Sequence, residues 1–387
     1  MLTQPASLLI GTTRSFTVYI RFRQLVSFRL LLLINAVASL SACASAPLMP
    51  YSLDSPPLVL VPAAQANVHD GRARFREIFC AVLDAEEDEL PDYQPCDQAL
   101  TRVGVEPAAT NTPVSLEPSH RRLILAVAMG FGYDCFANWL EPSGAVASHL
   151  RKHGYDFLLL PVEGLSSPER NAKFVRDALM ALPMESGQPR IVLAGYSKGA
   201  SDVLEALVVY PELQARVAAV VSAAGTIGGS PLANEFEQEM AEWLRYFPGA
   251  ECTQGDRGAV ASLQPDVRQK WLETHTLPQQ LPYYSLVTYP QPERISSILK
   301  KTYRKLAQVD ARNDSQMIFY DQVIPGSTLV GYLNADHWAV AVPIARTHET
   351  IAKLFVTEND YPREALAETL MRFIEEDLDA RAAQPND

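Results

Sequence analysis

The stretch Arg190–Ala200, RIVLAGYSKGA, constrains this chain more than any other. A short apolar run ends at Gly195, Ser197 stands between Gly195 and Gly199, and a segment compatible with a helix follows. A G-x-S-x-G pattern between a buried strand and a helix marks a sharp turn that lifts a serine hydroxyl above the end of a sheet. Its demand is steric. The serine backbone is held in a strained conformation, and strand and helix cross so closely that side chains at Gly195 and Gly199 would clash. Ile191–Ala194 reads as the strand and Ser201–Tyr210 as the helix.

The flanking sequence repeats that unit. Leu123–Ala128, Phe157–Val162, Val217–Ser222, Tyr283–Thr288 and Ser327–Leu333 are apolar runs of strand length. Between them lie helical patterns at Ser143–His153, Ser167–Leu182 and Glu293–Val309, and Arg363–Leu378 reads as a closing amphipathic helix. Runs rich in Val, Ile and Leu, separated by helices of this length, imply an α/β fold with a mostly parallel sheet covered on both faces. The rhythm breaks over residues 226–280, where Phe236–Phe247 sets Met240, Trp243, Leu244 and Phe247 on one side. That insertion is either a cap over the site or a surface helix packed on the core.

The start of the chain is an address. Arg14, Arg21, Arg23 and Arg29 precede the apolar run Leu30–Leu40, which is too short to span a bilayer and has the length of a signal-peptide core. The following Leu40-Ser41-Ala42-Cys43 resembles a bacterial lipobox, and the resemblance implies cleavage after Ala42 and a diacylglyceryl anchor on Cys43. Ala44, in place of aspartate, is compatible with sorting to the outer membrane. The expected organisation is a signal peptide over 1–42, a Pro/Ala/Ser-rich tether over 43–68, an N-terminal extension over 69–119, and the main domain from 120 to 387.

With Cys43 set aside, Cys80, Cys96, Cys135 and Cys252 remain, an even number that in an exported chain reads as two disulfides. Cys80–Cys96 is the natural local pair and Cys135–Cys252 the remainder, although four cysteines allow three connectivities. The chain carries a net charge of −12, and the four N-terminal arginines face no acid before residue 43, so the body is more acidic still. An acidic body argues against nucleic acid as a partner. Neither C-x-x-C nor H-E-x-x-H occurs, so no metal or other cofactor is expected.

A serine hydroxyl is a poor nucleophile at neutral pH and needs a base within hydrogen-bond reach and an acid to orient that base. His275, His337 and His348 follow Ser197, and His337, in Asn334-Ala-Asp-His-Trp-Ala339 directly after the last strand, is the expected base. Asp321 is the expected acid, with Asp314 and Glu293 as competitors. Its turn, Tyr320-Asp-Gln-Val-Ile-Pro-Gly-Ser327, then a strand and Asp-His, resembles the α/β-hydrolase pattern over residues 120–385. The resemblance implies a Ser197–His337–Asp321 triad and an oxyanion hole formed by the backbone N–H groups of Lys198 and Phe131. The loop that carries Phe131, Ala128-Met-Gly-Phe-Gly-Tyr-Asp134, has Met129 where the family usually has histidine. The Lys198 side chain is expected as a solvated charge on the first helical turn. These features point to hydrolysis of a small-molecule or lipid ester, with a non-catalytic envelope lipoprotein that keeps the fold for binding as the alternative.

Overall fold

The computed structural model describes residues 67–137, 142–183, 190–235 and 250–383. The leader, Cys43, nearly all of the tether and the amphipathic stretch Phe236–Phe247 lie outside the described residues. Seven parallel strands form one sheet in the order β1-β7-β6-β5-β4-β2-β3. They are β1 (His69–Asp70), β2 (Ile124–Ala128), β3 (Asp156–Leu159), β4 (Ile191–Tyr196), β5 (Val217–Ala223), β6 (Tyr283–Thr288) and β7 (Thr328–Leu333). Every residue of β4 and β6 is buried, which is why these strands read as unbroken apolar runs rather than alternating ones.

The helices are α1 (Arg72–Glu86), α2 (Cys96–Ala99), α3 (Pro142–Lys152), α4 (Pro168–Ala181), α5 (Lys198–Val209), α6 (Ala259–Ser262), α7 (Pro265–Thr274), α8 (Lys300–Leu306), α9 (Ile344–Thr347), α10 (Glu349–Leu354) and α11 (Arg363–Ala383). Alternate residues of the strands divide the core in two. Leu125, Val192, Ala194 and Val221 face α1, α3 and α11, while Ala126, Leu193 and Val220 face α4, α5 and Trp271 of α7. Each large apolar side chain buried in these layers contributes roughly 1.5–3 kcal/mol.

Two sequence expectations change. Residues 69–119 are joined to the main sheet rather than appended to it. β1 pairs with β7, and Phe75, Ile78, Phe79, Val82 and Leu83 lay one face of α1 into the core, with Phe75 edge-on to Phe373 of α11 at 6.0 Å. A two-residue edge strand leaves too short a pattern to read from sequence. The single helix expected over Glu293–Val309 is instead two 3₁₀ turns followed by α8. Ile295 and Ser296 are extended there, and the Ser296 N–H donates to Asp336 Oδ2 at 2.9 Å instead of to a helical carbonyl.

The winding reverses at β2, since β3 lies on one side of it and β4 on the other. In an open α/β sheet the crevice at the carboxyl ends of the two strands flanking such a reversal is the natural binding site. The loops after β2 and β4 carry Phe131 and Ser197. Among the described residues no helix is long and apolar enough to cross a membrane.

Candidate active site

Ser197 has φ 56° and ψ −126°, a backbone state that non-glycine residues adopt only when the surroundings enforce it. The enforcement is visible in the glycines. A Cβ at Gly195 would lie 2.3 Å from the Ala200 Cα, and one at Gly199 only 2.0 Å from the Ala128 carbonyl oxygen. The expected roles of Gly195 and Gly199 as close-approach positions therefore have a direct steric cause. Ser197 N–H donates to the Ala223 carbonyl at 3.1 Å and its own carbonyl accepts from Thr226 N–H at 3.1 Å, which fixes the turn against the end of β5.

His337 Nε2 lies 2.8 Å from Ser197 Oγ, and its Nδ1 lies 2.8 Å from Asp314 Oδ2. The structure brings Ser197, His337 and Asp314 together and leaves Asp321, the acid expected from sequence, away from His337. Asp314 is fully buried, and both of its carboxylate oxygens accept hydrogen bonds. Its Oδ1 accepts from Gln316 N–H at 2.9 Å and Met317 N–H at 2.7 Å, and Oδ2 also accepts from the Thr288 hydroxyl. Asp321 instead turns toward Gly228, where an added Cβ would meet Asp321 Oδ1 at 2.4 Å. Burial pushes the Asp321 carboxyl up to about 7. Glu293 is exposed in a 3₁₀ turn, and His275 is occupied by a stack on Trp271 at 4.8 Å.

The residue next to Asp321 points the other way. Gln322 Oε1 accepts from Thr288 N–H at 2.8 Å, and its Nε2 reaches Asp314 Oδ2 at 3.4 Å. Gln322 and Thr288 thus brace the Asp314 carboxylate, contacts that sequence reasoning missed. Also missed was Tyr196, whose hydroxyl donates to the His337 carbonyl at 2.6 Å and whose ring lies 5.2 Å from the imidazole. Asp336 organises the loop carrying the base, accepting from the N–H groups of Trp338 (3.1 Å), Ala339 (2.9 Å) and Ser296. The available signal for Asp314 was its context, Asn313-Asp-Ser315, since Asx residues close turns by accepting local N–H groups.

The loop after β2 lies directly on the nucleophile. A Cβ at Gly130 would come within 2.7 Å of Ser197 Cβ and 3.1 Å of its Oγ, so the backbone of Gly130-Phe131 can approach only as glycine leaves room. Lys198 begins α5, and the first N–H groups of a helix have no acceptor within it. The Lys198 side chain corrects an expectation: it is fully buried rather than solvated. Its Nζ pairs with Asp202 Oδ1 at 2.7 Å and Oδ2 at 2.9 Å, and Asn171 Nδ2 donates to Asp202 at 2.8 Å. Burial pushes the Asp202 carboxyl up against the opposing pull of the Lys198 ammonium.

Both disulfides have the expected connectivity, Cys80–Cys96 and Cys135–Cys252. Cys135 sits in the turn that follows the Phe131 loop, so the second bond ties that loop to the middle of the insertion. Behind the site, an apolar cavity of about 120 Å³ lies between the sheet and α11, with Met129, Tyr133, Tyr196, Val340 and Leu366 in its walls. The sequence-based expectation of no metal site meets a contrary observation elsewhere: Glu86, His149, His153 and Glu368 bring ligand atoms within 4.8 Å of one another.

The chain resembles a metagenomic carboxyl esterase, MGS0156, with 38% identity over 84% of this chain and 97% of that one, at a TM-score of 0.77. Weaker likenesses are to the mature Bacillus licheniformis lipase BlEst2 (20% identity, 62% of this chain, 94% of that chain, TM-score 0.48) and the Staphylococcus hyicus lipase (12% identity, 68% of this chain, 99% of that chain, TM-score 0.47). No protein-family model and no curated protein sequence matches the chain.

Proposed function

The chain belongs to the α/β-hydrolase family of carboxyl esterases, and from that premise we propose that it cleaves carboxylic esters through Ser197, His337 and Asp314. The observation that carries the reading is the continuous relay Ser197 Oγ, His337 Nε2, His337 Nδ1, Asp314 Oδ2, with 2.8 Å at each hydrogen bond. With the ring proton on Nδ1 and donated to Asp314, Nε2 is free to accept the hydroxyl proton as Ser197 Oγ attacks the ester carbonyl. Charge collects on the carbonyl oxygen, and the N–H groups of Lys198 and Phe131 are the proposed donors that stabilise it. His337 then gives its proton to the departing alcohol, and a water deprotonated by the same nitrogen attacks the acyl-enzyme and restores Ser197. The apolar walls of the neighbouring cavity favour an apolar acyl group.

Two disulfides suit folding in an oxidising compartment outside the cytoplasm. The proposed location is the bacterial envelope, with Cys43 lipidated and residues 43–68 as tether. Cys43→Ser should move the protein out of the membrane fraction, and unchanged fractionation would remove the anchor from the proposal.

The primary test is the intact mass of the disulfide-bonded protein after exposure to a fluorophosphonate probe. One adduct per chain is expected, and none on Ser197→Ala. An adduct that survives the substitution would place the nucleophile elsewhere, and no adduct on folded protein would return the chain to the binding-protein reading.

A further inference from the structure

Three helices converge on the face of the sheet that α5 does not cover. His149 stands in the last turn of α3 and His153 in the turn that follows it, Glu86 ends α1, and Glu368 comes from α11. The His149/His153 pair, four residues apart, is visible in the sequence but was overlooked there; its carboxylate partners come from distant helices, and only the fold assembles the group. His149 Nε2 lies 2.7 Å from Glu368 Oε2, and His149 Nδ1 lies 3.4 Å from Glu86 Oε2. His153 Nε2 lies 2.8 Å from Glu86 Oε1 and 3.3 Å from Glu368 Oε2. The group is shielded: His149 is 6% exposed and Glu368 1%.

We propose that Glu86, His149, His153 and Glu368 form a binding site for one divalent transition-metal ion, zinc by preference, that ties α1, α3 and α11 together. Two imidazoles and two carboxylates are the nitrogen and oxygen donors that zinc takes in four-coordinate sites, and two carboxylates neutralise its charge. Ligand atoms about 3.3 Å apart are what a tetrahedron of 2.0–2.1 Å bonds requires; two contacts lie at 3.3 and 3.4 Å, and the 4.8 Å span of the group must close by side-chain rotation when the ion binds. Two buried atoms of the group, His153 Nε2 and Glu86 Oε2, have no well-formed hydrogen bond in the protein. Groups buried in that state are rare and call for an explanation such as an ion.

The surroundings orient the donors. Arg372 Nε donates to Glu368 Oε1 at 2.6 Å, which leaves Oε2 to face the histidines. Such contacts to ligating carboxylates sharpen a metal site. Arg372 Nη2 also approaches His153 Nδ1 at 3.2 Å. Metal binding at Nε2 moves the neutral ring's proton to Nδ1 and breaks that contact, while Nη2 keeps the Leu116 carbonyl at 2.9 Å.

The test strips the purified, disulfide-bonded protein with EDTA and titrates it with ZnCl₂, reading metal content after gel filtration and the melting temperature. One zinc per chain is expected, with a melting temperature raised by about 3–4 °C at a hundredfold excess of zinc over Kd. His149→Gln/His153→Gln should lose both responses while retaining ester hydrolysis, since neither residue touches Ser197, His337 or Asp314. Glu86→Gln, on a more exposed member, provides a milder variant whose zinc affinity should fall at least tenfold. Co²⁺ in place of zinc should give the visible bands of a tetrahedral site. Zinc that washes off without raising the melting temperature, or zinc retained equally by the double variant, would overturn the proposal and leave a hydrogen-bonded His–Glu cluster.

Discussion

Asp314→Asn separates the acid that touches His337 from the acid that the sequence pattern favours. The substitution is nearly isosteric, so its effect is set by which way the new amide turns. If its oxygen faced His337, the NH₂ would oppose the N–H groups of Gln316 and Met317, which now donate to Oδ1 at 2.9 and 2.7 Å. Leaving two buried donors unsatisfied costs roughly 1–3 kcal/mol each. The amide is therefore expected to keep its oxygen on those N–H groups and present NH₂ to Nδ1, donor against donor. His337 would escape by moving its proton to Nε2, and Ser197 would lose its base. Loss of the correct tautomer lowers turnover by about 10⁴ in a comparable triad, equivalent to about 5.5 kcal/mol at 1.36 kcal/mol per decade. Steady-state hydrolysis of p-nitrophenyl esters should show this in kcat with KM little changed, because Asp314 is not proposed to contact substrate. Asp321→Asn, run beside it, should stay within a few-fold of the parent. A loss below tenfold for Asp314→Asn, or an equal loss for Asp321→Asn, would refute the assignment of the acid.

The same Asp321→Asn protein should be more stable than the parent at high pH. Its carboxyl is raised from 3.8 to about 7, so between those values the folded state holds the proton more tightly than the unfolded one and stability falls as pH rises. An amide removes that penalty, worth up to about 4 kcal/mol at pH 8 and less than about 1 kcal/mol at pH 4; parallel melting curves at the two pH values would disprove the reading. Lys198→Ala should destabilise the fold by about 3–5 kcal/mol, since it strands the buried Asp202 carboxylate. An unchanged denaturant midpoint would mean that Asp202 finds another partner or a proton at no cost.

The sheet was largely legible because each central strand is buried on both faces and carries a signal that depends only on its own residues. The serine turn was legible for a related reason: a Cβ at 195 or 199 would lie 2.3 or 2.0 Å from backbone atoms, so no other residue fits. The carboxylate on His337 was not, because which acid reaches Nδ1 depends on the direction of side chains in a long connection between β6 and β7. Asp321 and Gln322 are neighbours in one 3₁₀ turn, yet one faces Gly228 and the other Thr288 and Asp314. Lys198 misled for the opposite reason. A lysine on a first helical turn reads as solvated until the fold supplies Asp202 one turn on and Asn171 from α4.

The relay owes its alignment to main-chain contacts as much as to side chains. Tyr196, the residue before the nucleophile, donates its hydroxyl to the His337 carbonyl at 2.6 Å, and His337 N–H donates to the Asp314 carbonyl at 3.0 Å. These two bonds tie the His337 backbone to the Ser197 turn and to Asp314 before any contact among the three side chains themselves is counted. Asp314 is further fixed by the reverse turn in which Asn313 bridges Ile318 and Ser315 takes a φ of 82°. An arrangement held this way is formed without substrate, so binding energy need not be spent on assembling it. The acid's place in the sequence is then loosely constrained. Any segment after β6 that can set a carboxylate on Nδ1 and anchor its own backbone to His337 would serve, and here that segment is the Asn313-Asp-Ser315 turn.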